Sequence, residues 1–379
     1  MIRKTSLGIF SLAALALIIF CGTHFISTRI YHQPVSSIDG DTDENEQSQR
    51  TYAAEVSNAL RAPKVTYAIT SSTPQFIVFS FDGSKSIPML DETLDFQQKM
   101  MSENRPLHFT YFINAAYFLT KENSQFYQAP GQVSGTSQIG FSSSTNDISL
   151  RVHEFNKAFT LGNEIGSHSA GHFDGSGWSY DEWRQEFSSF MSVLTNVQRN
   201  NSSAPIDAPL FLSNIHGFRA PNLGVNDNLY KVLGENMFSY DASGVNATDA
   251  WPEKDIYGVW HIPLGTVYLG TDKRPVISMD YSIWTRQSTD KEEAVKGTPL
   301  WNQYYNDIET AYMNYFNTNY NENRSPIVIA DHFSKWNDGV YWEALKAFAE
   351  NVCGKPNIQC VTFKDVVNYL NTTGTPAKM

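Results

Sequence analysis

Two histidines, His168 and His172, stand four positions apart in the stretch EIGSHSAGH, which closes an apolar, strand-like run. If the chain turns helically there, side chains at i and i+4 share one face. Two imidazoles on one face can reach a single cation, and imidazole is a common ligand of zinc and related divalent metals. The spacing alone is weak, because histidines paired in this way are more often structural. Four other polar groups fall where apolar runs end: Asp82, the triplet Arg219-Ala220-Pro221, the stretch from Asp280 to Trp284, and Asp331-His332. Taken singly, each has a plain structural role: Arg219 in a surface ion pair, Asp280 as a helix cap, His332 as a core histidine. Falling in order at successive strand ends, they point instead to one assembled site.

The elements that must position them alternate between strand and helix. Short runs rich in β-branched and aromatic residues at 75–81, 107–113, 162–167, 211–218, 260–263, 275–279, 326–330 and 360–363 read as strands. Helical patterns occupy 87–101, 148–161, 341–352 and 364–370. Ser179 and Glu182 carry the signature of a capping box. Behind them Trp183, Phe187, Met191, Leu194 and Val197 recur at helical spacing. Repeated strand-then-helix units imply a parallel sheet. Polar residues gathered at the C-terminal strand ends favour a barrel over an open sheet, with the active site at those ends. The Ser-, Gly- and Gln-rich segment 115–146 reads as an insertion loop, which either walls a groove or covers surface without a role.

From about residue 75 to 370, the order of these groups resembles the NodB-homology domain of carbohydrate esterase family four, the metal-dependent polysaccharide deacetylases. That family includes chitin, peptidoglycan and xylan deacetylases. The most specific piece is the H-S-x-x-H of His168 and His172, with Gly166 before it and Trp178 and Trp183 after it; Arg219-Ala220-Pro221 is the next best match. The resemblance implies an α/β fold, a distorted (β/α) barrel of about seven parallel strands over residues 66–375. It implies His168 and His172 as ligands of a divalent metal, with zinc expected. It also implies Asp82 as general base, His332 as general acid, Asp280 holding that histidine and Arg219 orienting the base. Pro221 and Trp284 would lie on the substrate side. The residue types suit amide hydrolysis. A divalent cation stabilises the tetrahedral oxyanion, while a carboxylate and an imidazolium supply the two proton transfers.

One departure from the family pattern is serious. The family has two adjacent aspartates, the second being the third metal ligand, but here the chain reads Phe81-Asp82-Gly83-Ser84. Three readings stay open. Asp82 remains the base while the metal takes water and a carboxylate from elsewhere, such as Asp174; or Asp82 itself becomes the ligand; or the site has lost its metal and binds sugar only. The expected function is removal of N-acetyl groups from a peptidoglycan- or chitin-like polymer. The alternatives are an O-acetyl esterase of the xylan type and an inactive carbohydrate-binding protein. Trp251, Trp284 and Trp336 are candidates to stack on sugar rings, with packing the preferred role for two of the three.

Composition and address bound these readings. The chain has 379 residues, 41% hydrophobic and 13% aromatic, ample for one large core. A net charge of -11 argues against nucleic acid or an anionic membrane surface as the main partner. Arg3 and Lys4 precede an uncharged run at 5–28 that is densely apolar over 9–21. That pattern is an export signal over 1–31, an uncleaved anchor in preference to a cleaved peptide. Residues 32–65 follow as a flexible, acidic linker. The domain is thus expected outside the cytoplasm, anchored to the membrane or secreted. In such a compartment Cys353 and Cys360, seven apart, are expected to form a disulfide.

Overall fold

Eight consecutive buried residues, QFIVFSFD, form the strand β1 (Gln75–Asp82). A continuous run without alternation is what a parallel strand covered on both faces requires. The computed structural model describes residues 65–202, 205–246, 249–288 and 293–379. Beside β1 lies β2 (Phe109–Ile113), then β3 (Glu164–Ser167), β4 (Gly217–Phe218), β5 (Tyr240–Asp241) and β8 (Trp260–His261), all parallel. On its other side β1 pairs in parallel with β11 (Ile327–His332) and, lower down, with β12 (Ile358–Cys360).

The sheet curls into a half-barrel, in keeping with the expected distorted barrel. Its far end is β7 (Glu253–Lys254), a short exposed strand antiparallel to β8. Pro263 follows β8 and has no N–H to donate to a ladder. The next strand, β9 (Leu264–Leu269), joins β6 (Val245–Asn246) and β10 (Arg274–Ile277) in a separate three-stranded sheet. That sheet is stitched to the β11 edge where Ala330 N–H donates to the Ser278 carbonyl at 2.9 Å. The architecture is therefore α/β, a curled, mostly parallel half-barrel consistent with the distorted barrel read from the sequence.

Helices cover the sheet where their caps allow. α1 (Ile87–Ser102) starts on the Ser86 side chain, which accepts the Met89 N–H, with Pro88 in its first turn. α2 (Thr145–Thr160) is capped by Ser144. α3 (Tyr180–Thr195) carries the expected capping box of Ser179 and Glu182. α4 (Asp227–Glu235), α5 (Asp280–Gln287) and the 23-residue α6 (Pro299–Asn321) follow. In α7 (Trp336–Val352) the left-handed residues Asn337, Asp338 and Gly339 precede the regular turns, so that helix proper starts where the sequence pattern placed it. α8 (Phe363–Thr373) ends the fold. The run expected as a strand over 211–218 shrinks to β4, because Leu212–Asn214 forms a single 3-10 turn.

Cys353, at the end of α7, and Cys360, in β12, form the expected disulfide. The expected N-terminal anchor lies outside the described residues, as does all but the last position of the expected linker. Among the described residues, no helix is long and apolar enough to cross a membrane. Asn201, which opens an Asn-Ser-Ser triplet of the glycosylation type, is buried, its side-chain amide donating to the Phe118 and Val197 carbonyls.

Candidate active site

The parallel ladder lines up the C-terminal strand ends, and the predicted residues fall on them. Asp82 ends β1, His332 ends β11, His168 follows β3 and Arg219 follows β4. All but His332 are buried, and the His332 side chain keeps 22% of its surface.

The turn after β3 is not helical, contrary to expectation. Ser169 (φ 58) and His172 (φ 61) are left-handed, so the loop folds back on itself. The two imidazoles still converge, with ring centroids 4.9 Å apart and planes at 71°. The Nδ1 of His168 lies 2.8 Å from the Arg219 carbonyl. A carbonyl only accepts, so Nδ1 carries the proton and Nε2 keeps its lone pair for a ligand. Burial, foremost, drives this imidazole down to about 3, which keeps it neutral. Gly166 in β3 is required by packing. A Cβ there would sit 2.6 Å from the Phe112 ring and 3.1 Å from the Gly217 carbonyl.

Arg219 is the hub of the site. Its Nη1 donates to Asp82 Oδ1 at 2.7 Å and to Ser80 Oγ at 2.9 Å, and its Nε donates to the Ala242 carbonyl at 3.0 Å. The guanidinium also lies 4.5 Å over the Phe112 ring. Burial alone would raise the Asp82 pKa. Arg219, helped by His168 and His332, more than offsets it and holds the carboxyl below its ordinary value. Asp82 is thus an oriented carboxylate with one oxygen committed to Arg219.

The second pair is built the same way. Asp280 Oδ1 is 2.7 Å from His332 Nδ1, and Asp280 Oδ2 accepts the His332 main-chain N–H at 2.8 Å. Both the ring and the backbone of His332 are thus held by Asp280. Beside it Trp284 and Trp336 stack at 5.2 Å and 22°, and Trp336 lies 5.6 Å from the His332 ring. Trp251, by contrast, is buried and donates to the Asn323 carbonyl, so it is a packing residue.

Pro221 is buried at the start of the 3-10 turn that follows Arg219. Asp174, the suggested replacement ligand, is exposed and accepts the Ser176 N–H. Among the described residues, no group of three or more His, Cys, Asp and Glu side chains could hold a metal ion. The site nevertheless fits a cation. Its two imidazoles converge, and the buried Oδ1 of Asn114, on the next strand end, has no hydrogen-bond partner.

Two further residues escaped the sequence reading. Glu186 of α3 is fully buried, and its Oε1 accepts the N–H groups of Ala170 at 2.7 Å and Gly171 at 3.4 Å. Tyr127 donates to its Oε2 at 2.9 Å. This carboxylate clamps the loop between the two histidines. An acidic residue on the apolar face of the α3 pattern was the available signal. Tyr127 belongs to the segment 115–146, which also bonds the loop through Ala116 N–H to the Ala170 carbonyl and Gln138 N–H to the Gly171 carbonyl. That segment walls the histidine loop.

No protein-family model and no curated protein sequence matches the chain. Solved structures do. A protein from Mycobacterium smegmatis, provisionally assigned as a polysaccharide deacetylase, is 13% identical with a TM-score of 0.48, over 84% of this chain and 97% of that one. A peptidoglycan deacetylase from Bacillus subtilis is 14% identical, TM-score 0.39, over 80% and 96%. A carbohydrate esterase family four pseudoenzyme from Bacillus anthracis is 8% identical, TM-score 0.40, over 78% and 66%. The structures similar to this chain are thus polysaccharide deacetylases of carbohydrate esterase family four, with an inactive relative among them.

Proposed function

We propose that the chain is a hydrolase that removes N-acetyl groups from an acetylated amino-sugar polysaccharide of the peptidoglycan or chitin type. One observation carries the reading: an Arg219-oriented carboxylate, Asp82, and an Asp280-held imidazole, His332, stand side by side on paired strand ends, near two histidines whose rings lie together. Both proton-transfer partners of an amide hydrolysis are thus in place.

His168 and His172 would hold a divalent cation, zinc being expected from two neutral imidazoles. Bound there, the cation supplies Lewis-acid polarisation of the acetyl carbonyl and acidifies a water. Asp82 takes the proton of the attacking water, and Arg219 keeps the carboxylate ionised and aimed. His332, as its imidazolium, would give its Nε2 proton to the leaving amine, and Asp280, bonded to Nδ1, would stabilise that charge. Trp284 and Trp336 form an apolar wall beside His332 on which a sugar face can lie.

We place the reaction outside the cytoplasm. The basic-then-apolar start of the chain and the Cys353–Cys360 disulfide support this. The test is acetate release from acetylated glucosamine oligomers and from acetylated xylan by the zinc-supplemented chain. Release from the former, lost in Asp82→Asn and His332→Ala, is expected. Release from xylan alone would move the assignment to an O-acetyl esterase, and release from neither would end the hydrolase reading.

A further inference from the structure

Where the deacetylase pattern has an aspartate ligand this chain has Gly83, and we infer that the side-chain oxygen of Asn114 supplies the third protein contact to the cation. The inference rests on the proposed hydrolase site and names a ligand within it.

Asn114 directly follows β2, between the ends of β1 and β3 in the sheet, and is 1% exposed. Its Nδ2 donates to the His168 carbonyl and lies 3.5 Å from the Ser169 carbonyl. Carbonyls only accept, so these two contacts fix which end of the amide is nitrogen. The other end, Oδ1, is buried and has no hydrogen-bond partner. Leaving a buried acceptor unsatisfied is unfavourable, and a cation would remove that cost.

Asn114 Oδ1 borders the space beside Gly83. A Cβ built on Gly83 would find open space, with Asn114 Oδ1 at 3.9 Å as the one heavy atom within 4 Å. The volume that a side chain at position 83 would enter is therefore empty, and the oxygen bordering it comes from Asn114. The residue is also tied in place. Its N–H donates to Ser84 Oγ at 3.3 Å, and Ser84 Oγ donates to its carbonyl at 3.4 Å. Through Nδ2 it is joined to the main chain of His168 itself.

The chemistry differs from that of a carboxylate. Two imidazoles and a carboxamide oxygen form a neutral ligand set, so the cation keeps its full double charge and is held less tightly. An aspartate at position 114 would restore the missing negative charge with the same reach.

The test is Zn²⁺ titration of the chelator-stripped full-length chain by calorimetry, a readout independent of activity. The native chain should take about one equivalent, Asn114→Leu should bind at least about tenfold more weakly, and Asn114→Asp about tenfold more tightly. A folded Asn114→Leu chain that matches the native affinity, while His168→Ala abolishes binding, overturns the Asn114 assignment and leaves the hydrolase reading standing. If Asn114→Leu does not fold, an Asn114→Asp affinity unchanged from native overturns the assignment. Native and His168→Ala chains that both ignore Zn²⁺ overturn the hydrolase reading, and the Asn114 assignment falls with it.

Discussion

Asp82 and His332 are direct Cα partners in the parallel ladder between β1 and β11. Their separation is thus set by backbone hydrogen bonds that neither side chain controls. Each is then aimed by its own partner: Asp82 by Arg219, and His332 by Asp280, which also grips the His332 main chain. A side chain held by a buried ionic partner and by its own backbone loses little entropy on reaching the transition state.

Asp280→Asn tests the second of these pairs. The amide still reaches the His332 ring but no longer stabilises its charged form. The expected result is a fall in kcat of about a hundredfold or more, with KM nearly unchanged. The acidic residue also lies in the first turn of α5, so the variant's fold must be verified by circular dichroism. The check is acetate release as a function of pH. A native-like rate would mean that His332 needs no carboxylate to work.

Glu186→Gln addresses the clamp on the histidine loop. The buried carboxylate accepts two main-chain N–H groups and the Tyr127 hydroxyl. A glutamine oxygen can replace part of this, but its NH2 end would face a donor. A loss of about 1–3 kcal/mol in stability is expected, with weaker Zn²⁺ binding through loss of loop order. Zn²⁺ titration beside urea unfolding measures both, and binding unchanged in a destabilised chain would confine Glu186 to folding.

Glu164 gives the chain a pH dependence remote from the chemistry. It lies at the start of β3, accepting from Thr110, Tyr240 and the Lys364 N–H. Burial, the largest effect, outweighs these bonds and raises its pKa from 4.5 to about 7. A folded-state acid with a raised pKa binds its proton more tightly than the unfolded chain does. Stability from this group is therefore full below pH 4.5 and falls as pH rises toward 7. The loss over that window is about 3 kcal/mol. Urea midpoints from pH 5 to 8 should fall in the native chain and stay flatter in Glu164→Gln.

How much of this was legible in the sequence depends on what each residue's position encodes. The strand ends were readable because β1, β2 and β11 are unbroken apolar runs that stop at a polar residue. The capping box of α3 and the Cys353–Cys360 pair were local and were readable too. Barrel closure was not, since it depends on whether β8 and β9 share one ladder, and Pro263 breaks that continuity. α6 was overlooked because its Asn, Tyr and Thr content hides the pattern, although Trp301, Tyr304, Ile308, Ala311, Tyr315 and Asn319 do recur on one buried face. The Thr298-Pro299 start was a usable signal. Glu186 and Asn114 act through main-chain groups 16 and 54 residues away, and no local pattern encodes such a contact.

The disulfide is a stability device whose contribution can be separated from the site. Cys353 ends α7 and Cys360 sits in β12, which pairs with β1. The bridge therefore pins the last turn of a core helix to the strand neighbouring β1, across a separation of 7 residues. Closing so short a loop restricts the unfolded chain by about 2–3 kcal/mol on the chain-entropy model. Replacing both cysteines by serine should lower the urea midpoint accordingly. Zn²⁺ affinity should stay the same, because the bridge lies toward the opposite end of β1, where Gln75, Phe76 and Ile77 pair with β12. A change in Zn²⁺ affinity would show that strain at the base of β1 reaches Asp82, and equal stability with and without the bridge would mean that sheet pairing alone orders β12.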